Sequence, residues 1–310
     1  MLKQPITDAR GWTAATIDAP STWYYRLPDA CRAAFDELRG EGRLPDSLPP
    51  IMKVACAESL APVRAALEIG RGFAIVESPP HSPGGARQPI ADATLLYWIV
   101  GHGLGQPFVQ NVQGTMLYDV RDTGQDLTKG ARFSVTNYES SFHTDNSFGD
   151  DILDYVGLLC LHVAKSGGRS QIVSGYAAHN VLLKEHPAEL ATLYESFHVD
   201  RRGGVREGET STVQFPIFQA SDRGLIVRYL RYWIEAGHEK IGQPLTPAQR
   251  NALDTLDRVL NRPELRVEFD LKPGDMYIIN NCWTLHNRTA FEDYPEPERR
   301  RHLVRLWLQK

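Results

Sequence analysis

Four cysteines in 310 residues, with no CxxC pair among them, leave little basis for a disulfide scaffold or a zinc ribbon. Cys31, Cys56, Cys160 and Cys282 read instead as free thiols in a reducing compartment. No apolar run approaches the ~20 residues of a membrane helix. Residues 1–10 lack the basic-then-apolar order of a signal peptide, so a soluble, cytoplasmic chain is expected. Neither sign of charge dominates: 34 Lys and Arg against 38 Asp and Glu give −4, which argues against a nucleic-acid surface. Low-complexity tracts, internal repeats and linker-like stretches are also missing. With 42 % hydrophobic residues the chain can bury a full core. These absences point to a folded chain with a small-molecule partner, without nucleic acid or membrane. Self-association into a homo-oligomer stays open.

The patterning changes character along the chain. Residues 29–39 and 59–68 carry helical spacing, with Asp29 as a cap for the first. Residues 72–76 read as a short buried strand ended by Pro79-Pro80, and 91–103 as an apolar helix. From Phe108 onward the runs are short and β-like: 116–120, 157–164, 171–174, 265–271, 276–280 and 302–308, with a turn at 272–275. Helices are expected at 176–185, at 188–194 and from Thr246-Pro247, where a Thr cap precedes a first-turn Pro. The polar loop 201–212 reads equally as a solvated loop or as a lid over a site.

Chemistry concentrates in His143-Thr144-Asp145. An HxD alone is weak, since chance supplies one in roughly every second protein of this size. Its context strengthens it. Residues 134–139 read as a strand running into the motif, and His286 follows the apolar strand 276–280. HxD followed far downstream by a second His is the ligand order of a 2-His-1-carboxylate facial triad, which holds Fe(II) by one face and leaves three positions open. Fifteen residues beyond His286 lies Arg301, in a stretch whose alternation puts 301, 303 and 305 on one strand face and Val304, Leu306 and Leu308 on the other. Inward-facing arginines need anions, and a dicarboxylate cosubstrate supplies one.

These residues resemble the TauD/TfdA group of Fe(II)- and 2-oxoglutarate-dependent oxygenases, which includes clavaminate synthase-like and butyrobetaine hydroxylase-like enzymes. The resemblance spans about residues 65–310. It rests on Phe142-His143-Thr144-Asp145-Asn146-Ser147-Phe148, Gly167-Gly168-Arg169-Ser170, Pro273-Gly274-Asp275, His286 with Arg288-Thr289-Ala290-Phe291, and the run from Arg301 to Leu308. It implies a mainly β fold, a double-stranded β-helix (jelly roll) with flanking helices. It implies one oxygenase domain over 1–310, with residues 1–65 an extension of uncertain role and the jelly-roll core at 108–310. By the same resemblance His143, Asp145 and His286 are catalytic metal ligands, and Arg301 with Ser170 holds the far carboxylate of 2-oxoglutarate. Arg305 matches an arginine that touches the substrate or the near carboxylate. Relatives that halogenate have Gly or Ala at the position of Asp145, so hydroxylation, desaturation or cyclisation is implied, consuming O2 and releasing succinate and CO2.

For the prime substrate the sequence offers candidates only. Gln110, Asn111 and Gln113 sit where substrate-facing groups occur in such enzymes, and Tyr138 and Glu139 precede the metal motif. Glu139 could pair with an ammonium group, although a surface role is the blander reading. Trp233, Trp283 and Trp307 read as core. An amino acid, amine or small carboxylate is the expected substrate. A zinc hydrolase would lack an obvious general base, and a non-catalytic jelly-roll binder of metal or small acids is the remaining alternative.

Overall fold

The computed structural model describes residues 1–78, 89–125, 133–149, 151–201, 205 and 208–310. Strand alternation builds its principal sheet. β1 (Tyr24–Arg26) pairs in parallel with β2 (Phe73–Glu77), and β2 pairs antiparallel with β13 (Asp275–Asn280). The sheet continues through β5 (Tyr155–His162) and β16 (His302–Gln309) to β3 (Gln106–Phe108), with β4 (Leu117–Val120) also on β16. Facing it is a smaller antiparallel sheet of β12 (Arg266–Phe269), β7 (Ser170–Ser174) and β14 (Thr284–Arg288). Three two-stranded pairs complete the β structure of the described residues: β6 (Ser166–Gly167) with β15 (Phe291–Glu292), β8 (Ser196–Asp200) with β9 (Thr212–Pro216), and β10 (Phe218–Ser221) with β11 (Gly224–Val227). The architecture is a jelly roll with helices packed outside it.

The helices cover two sides. α1 (Asp29–Leu38), α2 (Pro50–Ser59), α3 (Ala61–Glu68) and α4 (Ile90–Leu104) lie against the larger sheet. α4 is apolar all round because it is buried on both sides, between β16 and the other helices. Val304, Leu306 and Leu308 project into that layer, as their alternation requires. A fully buried Leu there contributes roughly 1.5–3 kcal/mol. The approach is close enough that a Cβ on Gly101 would sit 2.4 Å from Leu306 Cδ2. α5 (Gly175–Glu185), α6 (Pro187–Leu193), α7 (Arg231–Lys240) and α8 (Pro247–Leu260) form a second apolar layer with β8 to β11. Thr246 opens α8 with a capping box to Gln249, as its sequence announces.

Several expectations need correction. Residues 134–139 form no strand: a single 3-10 turn (Phe133–Val135) is followed by irregular chain, held by isolated backbone bonds from Thr123 N to Val135 O at 3.0 Å, Phe291 N to Asn137 O at 3.1 Å and Ser140 N to Arg288 O at 3.1 Å. Asp29 is the first residue of α1 rather than its cap; Pro28 stands at the cap. The sheet reaches well before residue 108, since β1 and β2 belong to it. The 201–212 loop falls partly outside the described residues, as do Pro79 and Pro80.

Candidate active site

The two histidines are brought together by backbone. His143 N donates to His286 O and His286 N to His143 O, each at 3.0 Å, an isolated antiparallel bridge beside β14. A pair that exchanges both bonds presents its side chains on one face of the sheet. Their rings lie 4.4 Å apart between centroids. Asp145 is set by Asn281, whose Oδ1 accepts from Asp145 N at 2.7 Å and whose Nδ2 donates to Asp145 O at 3.0 Å. Asn146 follows at φ 52°, a left-handed turn that Asn tolerates.

The donor geometry suits one metal ion. A ligand atom from each of His143, Asp145 and His286 lies within 4.8 Å of the others. Asp145 Oδ1 is 3.4 Å from His143 Nε2 and 3.7 Å from His286 Nε2. His143 Nδ1 is 2.8 Å from the Ser141 carbonyl, so that nitrogen carries the proton and Nε2 keeps its lone pair for a metal. Burial pushes His286 down to about 3, with His143 adding to the fall, so it is neutral and able to ligate at physiological pH. Burial alone would raise the Asp145 carboxyl, but Arg305 and the two histidines outweigh it and hold the group well below the usual range.

The second oxygen of Asp145 is also taken. Trp307 Nε1 donates to Oδ2 at 2.8 Å, and Arg305 Nη1 lies 3.1 Å from the same atom. Gln110 aims Arg305: its Oε1 accepts from Arg305 Nε at 2.7 Å, and its Nε2 donates to the carbonyls of Arg305 and Met116. The Arg305 guanidinium lies against the Tyr118 and Trp307 rings.

A cavity of about 150 Å³ opens beside the triad, lined also by Ser170, Arg288, Arg301, Arg305, Trp307 and Trp233. Arg301 is 5 % exposed, and its Nη1 is buried with no partner among the described residues. Burial lowers its pKa to about 10, which leaves it cationic. An unpaired buried guanidinium beside a serine hydroxyl fits the carboxylate of a dicarboxylate ligand. Gly168, at φ +72°, gives Arg301 its room: a Cβ there would come 3.2 Å from Arg301 Nε.

The structure redistributes the other expected roles. Tyr138 and Glu139 are exposed and do not line the cavity; neither do Asn111 or Gln113. Asn111 Oδ1 instead accepts from Gln113 N and Thr115 N within its loop. Gln110 is buried and serves Arg305. Trp307 and Trp233 are cavity walls rather than plain core, whereas Trp283 is core. Asn281 and the Trp307 donor had no assignment from sequence. Trp307 was within reach, because it continues the 301, 303, 305 face by two residues.

A jelly roll that gathers two histidines and a carboxylate at one point beside a buried arginine defines a non-haem iron oxygenase. The chain matches the family described as "Taurine catabolism dioxygenase TauD, TfdA family" over residues 52–307, and it belongs to that family. It is a 2-oxoglutarate-dependent dioxygenase that uses Fe(II), 2-oxoglutarate and O2. It is similar to FR-33289 synthase of Streptomyces rubellomurinus, 30 % identical over 321 residues, covering 99 % of this chain and 91 % of that protein. A uridine-5'-phosphate dioxygenase of an Amycolatopsis species is 26 % identical over 249 residues, covering 76 % and 83 %. Among solved structures, asparagine oxygenase in complex with Fe(II), hydroxyasparagine and succinate superposes with a TM-score of 0.67 at 18 % identity, covering 92 % of this chain and 93 % of that one. The iron oxygenase OrfP with Fe and alpha-ketoglutaric acid gives 0.66 at 18 %, covering 92 % and 93 %. No helix among the described residues is long and apolar enough to cross a membrane.

Proposed function

We propose that His143, Asp145 and His286 hold the Fe(II), that Arg301 and Ser170 grip the far carboxylate of 2-oxoglutarate, and that the outcome is hydroxylation of a small polar substrate. The observation that carries this reading is the partnerless Arg301 Nη1 in the wall of the cavity that holds the three metal ligands. Relatives and neighbours named for uridine 5'-phosphate, trimethyllysine, butyrobetaine and asparagine support a small polar molecule: an amino acid, amine or carboxylate. When bound, iron and 2-oxoglutarate with O2 supply the oxidation of a C–H bond, with succinate and CO2 as co-products.

The chain's own residues position and shield. Arg301 and Ser170 fix one end of the cosubstrate, and the fork of an arginine sets its orientation as well as its charge. Asn281 and the His143–His286 bridge hold the ligands before metal arrives, which reduces reorganisation on binding. Leu158, Val156, Trp307 and Trp233 wall the cavity and keep water from the reacting centre.

Anaerobic titration with Fe(II) and 2-oxoglutarate tests the reading. A weak visible charge-transfer band should form in the wild type and fail in His143→Ala. Arg301→Lys should weaken 2-oxoglutarate about tenfold, the scale of ~1.4 kcal/mol lost with the planar fork. A band of unchanged strength and affinity in both variants would reject these assignments.

A further inference from the structure

A hydroxyl in the wall of the active-site cavity has nothing to bond to. Tyr277 lies on β13, where the register pairs it with Leu158 of β5, itself opposite Arg305 of β16. Cross-strand partners share one face of a sheet, and all three of these side chains line the cavity. Aromatic contacts fix the Tyr277 ring. It stands edge-on to Phe269 at 5.1 Å and to Phe73 at 6.1 Å, in a buried cluster that includes Ile172. Tyr277 is 1 % exposed, and its hydroxyl has no hydrogen-bond partner among the described residues. Burial pushes its pKa well above the usual range, so the oxygen keeps its proton and remains a donor. The apolar packing makes no use of that oxygen, since a phenylalanine ring would fill the same place.

The neighbours of the ring show which part of the cavity the hydroxyl serves. On the facing sheet, β7 pairs Ile172 with His286 and Ser170 with Phe269. Tyr277 touches Phe269 and shares its cluster with Ile172, so it faces the stretch between a metal ligand and Ser170. Facing sheets are ~10 Å apart, and a tyrosine side chain spans most of that gap. A cosubstrate held by iron at one end and by Arg301 and Ser170 at the other runs along this stretch. Its two middle carbons are methylene groups, so the acceptor within it is the far carboxylate. We propose that the Tyr277 hydroxyl is a third donor to the far carboxylate of 2-oxoglutarate, beside Arg301 and Ser170. A carboxylate offers about four lone-pair positions. The fork of Arg301 takes two, which leaves one each for Ser170 and Tyr277. A 2-oxo acid without that carboxylate would leave three buried donors unpaired, so the same contacts select the cosubstrate. This rests on the assignment of Arg301 and Ser170 made above.

The test is Tyr277→Phe in the full chain, with binding read anaerobically from the charge-transfer band formed with Fe(II). 2-Oxoglutarate should bind the variant about tenfold more weakly, the loss expected of one hydrogen bond to a charged group. 2-Oxopentanoate, which carries a methyl group in place of the far carboxylate, should bind wild type and variant equally. The metal-free variant should melt no lower than wild type, because the change removes a buried donor that had no partner. That measurement also guards against misfolding as the cause of weak binding. Unchanged affinity for 2-oxoglutarate overturns the proposal. So does an equal loss for both oxo acids, which would mean that the hydroxyl shapes the cavity without meeting the carboxylate. A lower melting temperature, the mark of a hydroxyl with a structural partner, overturns it as well. Failure of the underlying reading would look different: Arg301→Lys would then bind 2-oxoglutarate as tightly as wild type, whatever Tyr277→Phe does.

Discussion

Asp145 divides its two oxygens between two tasks. Oδ1 faces both histidines, whereas Oδ2 accepts from Trp307 and pairs with Arg305. A carboxylate with one oxygen so engaged cannot swing to offer both to a metal, so the chain presets a single-oxygen ligand. Outer contacts of this kind typically govern metal affinity by 10–100-fold. Trp307→Phe keeps the wall and removes the donor, and should weaken Fe(II) binding by about tenfold with an unchanged fold. Arg305→Lys should also act on iron affinity, and more on iron than on 2-oxoglutarate, because Arg305 pairs with Asp145; the resemblance implied a contact with the substrate or the near carboxylate. Anaerobic iron titration decides: an unaltered dissociation constant in both variants would leave the Oδ2 contacts without function. The three donors that the fold brings together were legible in the sequence, because few residue types ligate iron and their order is distinctive. The contacts of Trp307 with Asp145 and of Gln110 with Arg305 were not. Alternation shows which face a residue occupies, but not which atom it meets across the barrel.

Among elements, strands and helices with a sharp period were readable to within a few residues, as β16, α5 and α8 show. α2 and α7 were not foreseen. α2 presents Ile51 and Val54 to solvent and so lacks a clean apolar stripe. α4 was legible, yet its burial on both sides has a cost that the pattern hides. His102 is 1 % exposed, packed edge-on to Trp98 at 4.8 Å, with neither ring nitrogen partnered among the described residues. Burial, aided by Lys53, pushes it down to about 4. His179 in α5, bonded to the Tyr194 hydroxyl at 2.9 Å, is pushed by burial to about 4 as well. The unfolded chain protonates such histidines near the usual ~6.5, above the folded values, so it binds more protons between the two. Stability is therefore full above ~6.5 and falls as pH drops toward 4. At pH 5 each group should have cost about 2 kcal/mol, from ~1.4 kcal/mol per pH unit. Denaturant unfolding of the metal-free protein at pH 7 and pH 5 should show the drop, and His102→Leu should shrink it by about 2 kcal/mol. An equal drop in that variant would show that His102 is not a source of the acid sensitivity.

On the scale of the whole molecule, residues 1–65 read as an extension of uncertain role, and in the structure they pack as part of the core. β1 extends the principal sheet, with Ile75 N donating to Trp23 O at 2.9 Å. Trp23 stands edge-on to Phe73 at 5.2 Å and to Phe269 at 5.8 Å, and Trp12 to Phe73 at 6.2 Å. Arg71 closes the same region through Asp18 at 2.5 Å. None of this has a local signature, because Trp12 and Trp23 lie in irregular chain and their partners are 50 to 246 residues away. Phe73 and Phe269 belong to β2 and β12, one from each sheet, so these tryptophans close an end of the jelly roll. Trp23→Ala should then cost the whole protein about 3–5 kcal/mol, the usual loss for a buried large aromatic. If the N-terminal segment and the jelly roll form one cooperative unit, calorimetry will show a single transition moved to lower temperature, and the iron-binding signal will vanish with it. A second transition in Trp23→Ala, with iron binding surviving the first, would show that residues 1–65 melt separately and that the jelly roll stands without them.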